Sequence, residues 1–321
     1  MISFKQIPGK GVGVVASRDF SPGEVILSDE VMLYCVRDNN SPSVNTNQAR
    51  HLYQQYNRLS PQNKYRVSKL FCLGDKSILN IFSTNSFTIT KKYCGLYVNI
   101  SRINHSCDPN ACYNNNGCTE KQVTAMRKIQ VGEEITISYI SSNWDIRQIR
   151  HEELSSWQFQ CHCSVCCLKD RVFVENEDIR LKIKDMSETI AKFVIQLDKS
   201  LQMVFVDMDQ DEDTKRNLNS SIVLKLKDTI CLAEQRICLL SKLGHQLLLV
   251  KFTAHLDCLY LYMKARALNV LFGRELEYKL QQHGDIVTTM SDWNIDWRHQ
   301  LSNVLARSYL LHVKWTYASV Q

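Results

Sequence analysis

The hydrophobic period of this 321-residue chain changes once, near Cys167. Before that point, short β-branched and aromatic runs alternate with turn signals: "VGVVAS", Ser21-Pro22-Gly23 and "EVILSDEVMLYCV", then "SFTIT", "GLYVNIS", "QVTAMRKI" and "EEITISYI". After it, apolar residues recur three and four positions apart, as in Ile179, Ile183, Met186, Ile190, Phe193, Val194, Leu197 and Leu201. The pattern predicts an α+β chain, with small sheets first and an antiparallel helical array over roughly the last 145 residues.

Within the first part, residues 45–82 read as two or three inserted short helices, with Ser60 as an N-cap and Pro61 at the first helical position. "NNNG" at 114–117 and "QVGEE" at 130–134 read as loops. In the second part, Ile222 to Leu243, Leu247 to Phe272 and Trp293 to Trp315 continue the helical pattern, with Gly244, Gly273 and Gly284 near helix ends. The acidic run "DMDQDEDTKRN" at 207–217 reads as a solvated loop.

Composition narrows the function classes. A hydrophobic content of 44% is ample for two globular parts. The formal charge of +6 is mild, and without a legible aromatic-basic surface pattern nucleic acid is unproven as a partner. The most apolar long run, Leu247 to Phe272, is broken by Lys251, His255, Asp257, Lys264 and Arg266, so no membrane span is expected. Thirteen cysteines at uneven spacing, with no apolar leader in "MISFKQIPGKGV", point to an intracellular protein, in the nucleus or the cytoplasm, that uses thiols for metal.

Two stretches carry chemistry. "CHCSVC" places Cys161, Cys163 and Cys166 within six residues, close enough for three thiolates to share one tetrahedral Zn²⁺, which needs a fourth ligand. Cys167 is near but geometrically awkward, His162 points away from its neighbours, and Cys107 is remote. Cys107 lies in "RINHSCDPNA" at 102–111, whose Asn104, Ser106, Asp108 and Asn110 compete for backbone hydrogen bonds while Pro109 lacks a donor. Local propensity gives such a run neither helix nor simple strand.

Three motifs, "RINHSCDPN" at 102–110, "GEEITISY" at 132–139 and "CHCSVC" at 161–166, together resemble SET-domain lysine methyltransferases. The leading "GKGVGVVASRDFSPGE" at 9–24 and "NSFTI" at 85–89 make the chain similar to the SET- and MYND-domain subfamily over roughly residues 1–170. The resemblance implies a SET domain over 1–145 with its helical insert, a post-SET zinc segment over 146–170, and a tetratricopeptide-like helical domain over 171–321. No cysteine lies between Cys35 and Cys72, so the MYND finger is expected to be missing.

The resemblance also implies an activity, S-adenosylmethionine-dependent methylation of lysines in histone or non-histone proteins. It implies cofactor contacts from Lys10, Gly11, Val12, Gly13, Asn85, Asn104, His105, Tyr139 and Phe159, a lysine channel of Phe87, Tyr139 and Trp157, and zinc on Cys107, Cys161, Cys163 and Cys166. Tyr139 is the implied catalytic residue, while Trp157 stands where relatives commonly carry tyrosine. Glu133 and Glu134 are read as structural, capping or solvent-facing groups in a turn. The competing reading is a SET-fold interaction module that binds cofactor or partner peptides without turnover. A zinc-dependent nucleic-acid binder ranks behind both.

Overall fold

A computed structural model describes residues 1–36, 45–90, 92–117, 119–140, 145–167, 170–206, 212–243, 254–255, 257–262, 265 and 274–291. The strands are β1 (Ile2–Ile7), β2 (Gly11–Ala16), β3 (Val25–Glu30), β4 (Leu33–Val36), β5 (Ser86–Thr88), β6 (Tyr93–Leu96), β7 (Asn104–His105), β8 (Ala111–Asn116), β9 (Glu120–Ala125) and β10 (Glu134–Ile137). The helices are α1 (Thr46–Arg58), α2 (Pro61–Ser68), α3 (Ile78–Asn85), α4 (Arg147–Leu154), α5 (Asp170–Val206), α6 (Glu212–Lys242) and α7 (Arg274–Ser291), with 3₁₀ turns at Ile100–Arg102 and Ser155–Trp157. None of the described helices is long and apolar enough to cross a membrane.

Three small sheets have the strand orders β1-β2-β10-β7, β3-β9-β8 and β4-β6-β5. Val14, Phe20, Tyr97, Ile103, Val123, Ile135 and Ile137 belong to the core between them, where alternate residues of successive strands meet. A satellite core of Leu33, Leu52, Val67, Leu70, Ile81, Phe82 and Leu96 joins α1–α3 to β4 and β6. The inserted helices begin where small polar caps satisfy their first N–H groups: Asn45 forms a reciprocal capping box with Gln48, Ser60 precedes Pro61, and Ser77 opens α3. This insert runs through Asn85, three residues beyond the expected limit.

The puzzling 102–111 stretch owes its shape to tertiary bonds. Its two-residue β7 pairs in parallel with β10, Asn104 opposite Thr136 and His105 opposite Ile137. Asn110, 2% exposed, then laces the loop to β10: its Oδ1 accepts from Thr136 N–H at 2.8 Å, and its Nδ2 donates to the Glu134 carbonyl at 2.8 Å and Glu133 Oε1 at 2.9 Å. A buried amide with its bonds satisfied outweighs poor local propensity.

Elsewhere the structure corrects the sequence reading. "ISFKQI" forms β1 against β2, and the supposed polar loop at 114–116 is the end of β8, paired with β9. "EVILSDEVMLYCV" divides between β3 and β4, which belong to different sheets. Glu212 to Asn217 of the expected acidic loop begins α6, and Gly284 lies inside α7 rather than at a helix end.

The chain forms two compact units, the first holding all three sheets with α1–α3, the second the long helices α5–α7. In the second, Ile183, Ile190, Val194 and Leu197 of α5 are buried, as their spacing predicts. Ile183 packs with Leu240, Leu243 and Ala254. Of the expected helix between Leu247 and Phe272, residues 254–255, 257–262 and 265 are helical and the rest, with Trp293 to Trp315, lies outside the described residues.

Candidate active site

The site is assembled where β10 ends beside β7. Tyr139 follows β10 by two residues; its hydroxyl donates to the Ile103 carbonyl at 2.7 Å and its N–H donates to His105 Nδ1 at 3.0 Å. Because Nδ1 accepts from a backbone N–H, the neutral imidazole carries its proton on Nε2, which points at Cys107 Sγ 3.4 Å away. Both ring nitrogens of His105 are therefore engaged within the protein. Burial, with the Glu134 charge adding to it, pushes the Tyr139 phenol far above its ordinary range, so the hydroxyl stays protonated at any physiological pH.

Aromatic rings close around this tyrosine. Trp157 lies 5.5 Å and Phe159 6.3 Å from it, and Phe159 is 6.0 Å from His105. Between those two rings Gln158 adopts φ 55°, a left-handed turn that follows the 3₁₀ segment and redirects the chain before Phe159. Phe159 remains 39% exposed, leaving ring surface for a ligand.

At the start of β10, Glu134 joins two candidate ligand contacts, accepting from Lys10 Nζ at 2.7 Å and from Asn104 Nδ2 at 2.8 Å. Gly13 lies directly beneath: a Cβ there would be 2.6 Å from Ile7 Cγ1 and 2.7 Å from Asn104 Nδ2. Gly11 is needed for another reason, its φ of +74° in the β1–β2 turn that presents Lys10 and Val12.

The sulfurs of Cys107, Cys161, Cys163 and Cys166 all lie within 4.8 Å of one another, and those of Cys107 and Cys161 are 3.9 Å apart. Four thiolates about 2.3 Å from a tetrahedral ion stand about 3.8 Å from each other, so the donor set fits a metal ion. Cys107 is thus the residue that completes the trio, in place of His162 or Cys167. Arg150, fully buried, points Nη2 at Cys166 Sγ at 3.8 Å and adds positive charge beside a thiolate-rich site.

Residues 11–140 match the profile of the SET domain family. Among curated proteins, histone-lysine N-methyltransferase set5 of Schizosaccharomyces pombe is 27% identical over 194 residues, 59% of this chain and 58% of that protein. Human histone-lysine N-methyltransferase SMYD3 is 32% identical over 122 residues, 37% of this chain and 28% of that protein. A SET and MYND domain-containing protein of Dictyostelium discoideum is 39% identical over 74 residues, 23% of this chain and 14% of that protein. The chain thus spans less than two thirds of the length of each.

Within the matched residues 11–140 the remaining candidates are placed more loosely. Asn85, at the end of α3, donates its side-chain amide to the carbonyls of Phe71 at 2.6 Å and Ile81 at 2.8 Å. Phe87 packs edge-on against Tyr97 and Tyr113 at 6.2 and 5.1 Å, and both Phe87 and Tyr139 border the main core. Glu133 is structural, as its turn position suggests, holding Arg127, Asn110 and the Gln130 N–H. The sequence reading missed Glu134 as the link between Lys10 and Asn104. The available signal was its place beside "ITISY", in a strand that pairs with both β2 and β7.

Proposed function

We propose that this chain is a protein-lysine N-methyltransferase that uses S-adenosylmethionine, in a SET- and MYND-like architecture without the MYND finger. In this reading the Cys107, Cys161, Cys163 and Cys166 cluster holds Zn²⁺ as a post-SET site, and the helical unit is tetratricopeptide-like. The observation that carries the proposal is the position of Tyr139: a protonated phenol, fixed at both its hydroxyl and its N–H, beside Trp157 and Phe159. Histone or non-histone lysines are the proposed substrates.

Lys10, Gly11, Val12, Gly13, Asn85, Asn104, His105, Tyr139 and Phe159 would form the cofactor cradle. The two ring nitrogens of His105 are bonded within the protein and fix its position, while the exposed Phe159 ring offers a stacking face. When bound, S-adenosylmethionine supplies a methyl group on a positively charged sulfur.

A lysine amine must be neutral to act as a nucleophile, although its ordinary pKa is about 10.4. Trp157, Tyr139 and Phe87 as channel walls would strip water from the ammonium and so favour its neutral form. The Tyr139 phenol, held protonated, cannot serve as a base; its oxygen orients the amine by accepting an N–H bond, while its own O–H donates to the Ile103 carbonyl. Glu133 is committed to Arg127 and takes no part in proton transfer.

Transfer of radiolabelled methyl groups to core histones and to a mixed protein lysate tests the proposal. Wild-type protein is expected to label lysines, and Tyr139→Phe to lose about a hundredfold in rate at saturating cofactor. Protein that binds the cofactor yet labels nothing, or a Tyr139→Phe variant at full rate, would overturn it; the first result selects the interaction-module reading.

A further inference from the structure

The formal charge of +6 is not diffuse. Residues 39–107 contain nine Lys and Arg against one acidic residue, Asp75, a formal +8 that leaves −2 for all the rest of the chain. The described part of this stretch holds α1–α3, β5 and β6, which share a sub-structure with β4 around the satellite core, before it reaches β7 of another sheet. Its one carboxylate is already committed, accepting from Asn80 Nδ2 at 2.6 Å and from the Ser77 N–H at 3.2 Å. Arg50, Arg58, Lys69, Lys76 and Lys92 are exposed, and among the described residues none of them is ion-paired.

The same sub-structure exposes aromatic rings. Tyr34 is 43% and Tyr93 40% exposed, and Tyr34 lies 5.5 Å from the exposed His51 and 6.4 Å from Tyr93, a small ring cluster flanked in sequence by Arg50 and Lys92. A second group has Tyr65, 63% exposed, with Lys69 Nζ 5.0 Å from its ring centre, and Phe71, 66% exposed.

The chemistry of these groups selects the partner. β4 is an edge strand, but its outer backbone groups are already taken: Gln55 bonds both the N–H and the carbonyl of Tyr34, and Gln48 donates to the Val36 carbonyl. A peptide adding a strand is therefore disfavoured, and side chains carry the recognition. Exposed cations interleaved with exposed rings suit a regular polyanion whose bases are unpaired and can stack; a duplex hides those faces, and an acidic peptide has none to offer.

We propose that α1–α3 and β4–β6 form a binding surface for a single-stranded polynucleotide, with Tyr34, His51 and Tyr93 as the stacking platform and Arg50, Arg58 and Lys92 on phosphates. The proposal stands apart from lysine methylation and does not depend on it.

Fluorescence anisotropy of the full chain with a labelled oligouridylate of about 15 nucleotides tests it, beside oligodeoxythymidylate, a duplex of equal length and phosphatidylserine vesicles. Either single strand is expected to bind at least about fivefold tighter than the duplex, with affinity falling steeply as salt rises from about 50 to 200 mM. Arg50→Glu with Lys92→Glu should weaken binding tenfold or more, by about that order, and flatten the salt dependence. Tyr34→Ala with Tyr93→Ala should cost about fivefold and leave that dependence intact. If the tyrosine pair lowers the melting temperature, the charge-reversed pair alone decides. Absence of single-strand binding at low salt, equal affinity for the duplex, binding of vesicles in place of RNA, or a charge-reversed variant that binds like wild type would each overturn the proposal.

Discussion

Gly13 has no room for a side chain. A Cβ would press on Ile7 Cγ1 at 2.6 Å and Asn104 Nδ2 at 2.7 Å, and would reach Glu134 Oε1 at 3.0 Å, so the Lys10–Glu134–Asn104 arrangement would have to shift. Gly13→Ala is expected to destabilise the protein by about 1–3 kcal/mol through overpacking and to weaken cofactor binding. Thermal denaturation and calorimetric titration with S-adenosylmethionine check both effects; an unchanged affinity would show that the arrangement is irrelevant to the cradle. The family resemblance pointed to Gly13 as a cofactor contact, and the structure sets the Asn104 side chain against it. His105 was legible as part of a motif, whereas its two ring bonds were not, because they depend on Tyr139 and Cys107 meeting it in space.

At the scale of elements, legibility followed alternation. β2 and β10 were readable because β-branched residues mark them, and α5 because its apolar stripe repeats at the helical period. β8 was not, since "YNNN" looks like a turn until its partners are known. Asn114 is 4% exposed and pairs with Gln122 in register, while Asn115 Nδ2 donates to the Ile89 carbonyl at 2.8 Å and its Oδ1 accepts from buried Lys121 at 2.6 Å. Side chains satisfied across a sheet override local turn preference.

Glu133 shows the same principle at the start of β10. Burial works to raise its pKa, but the bonds from Arg127, Asn110 and the Gln130 N–H outweigh it and hold the carboxyl below its ordinary 4.5. A carboxylate whose folded-state pKa is depressed contributes stability that is fully present above the unfolded value and is lost as pH falls through the folded one. Glu133→Gln is therefore expected to cost about 2 kcal/mol near neutral pH, from weakened charge-assisted bonds, with the deficit shrinking as pH drops below 4.5. Urea denaturation at several pH values measures this; a deficit independent of pH would assign the loss to shape rather than charge.

At the scale of the whole molecule, the decisive feature is the joining of chain segments more than 50 residues apart, Cys107 to Cys161, through their sulfurs. The spacing of "CHCSVC" suggested three ligands and the family resemblance suggested Cys107 as the fourth; the fold brings its sulfur to the other three. An ion on these four thiolates would fasten the 104–110 loop, and with it His105 and Tyr139, to the segment that carries Trp157 and Phe159. Removing it is expected to lower thermal stability and cofactor affinity together, because metal-binding energy of this kind is folding energy. X-ray absorption of the purified protein tests this most directly. One zinc ion with four sulfur neighbours at about 2.3 Å is expected, falling to three in Cys107→Ser with loss of cofactor affinity. Three sulfurs in the wild type, or a Cys107→Ser variant with unchanged coordination and affinity, would contradict it.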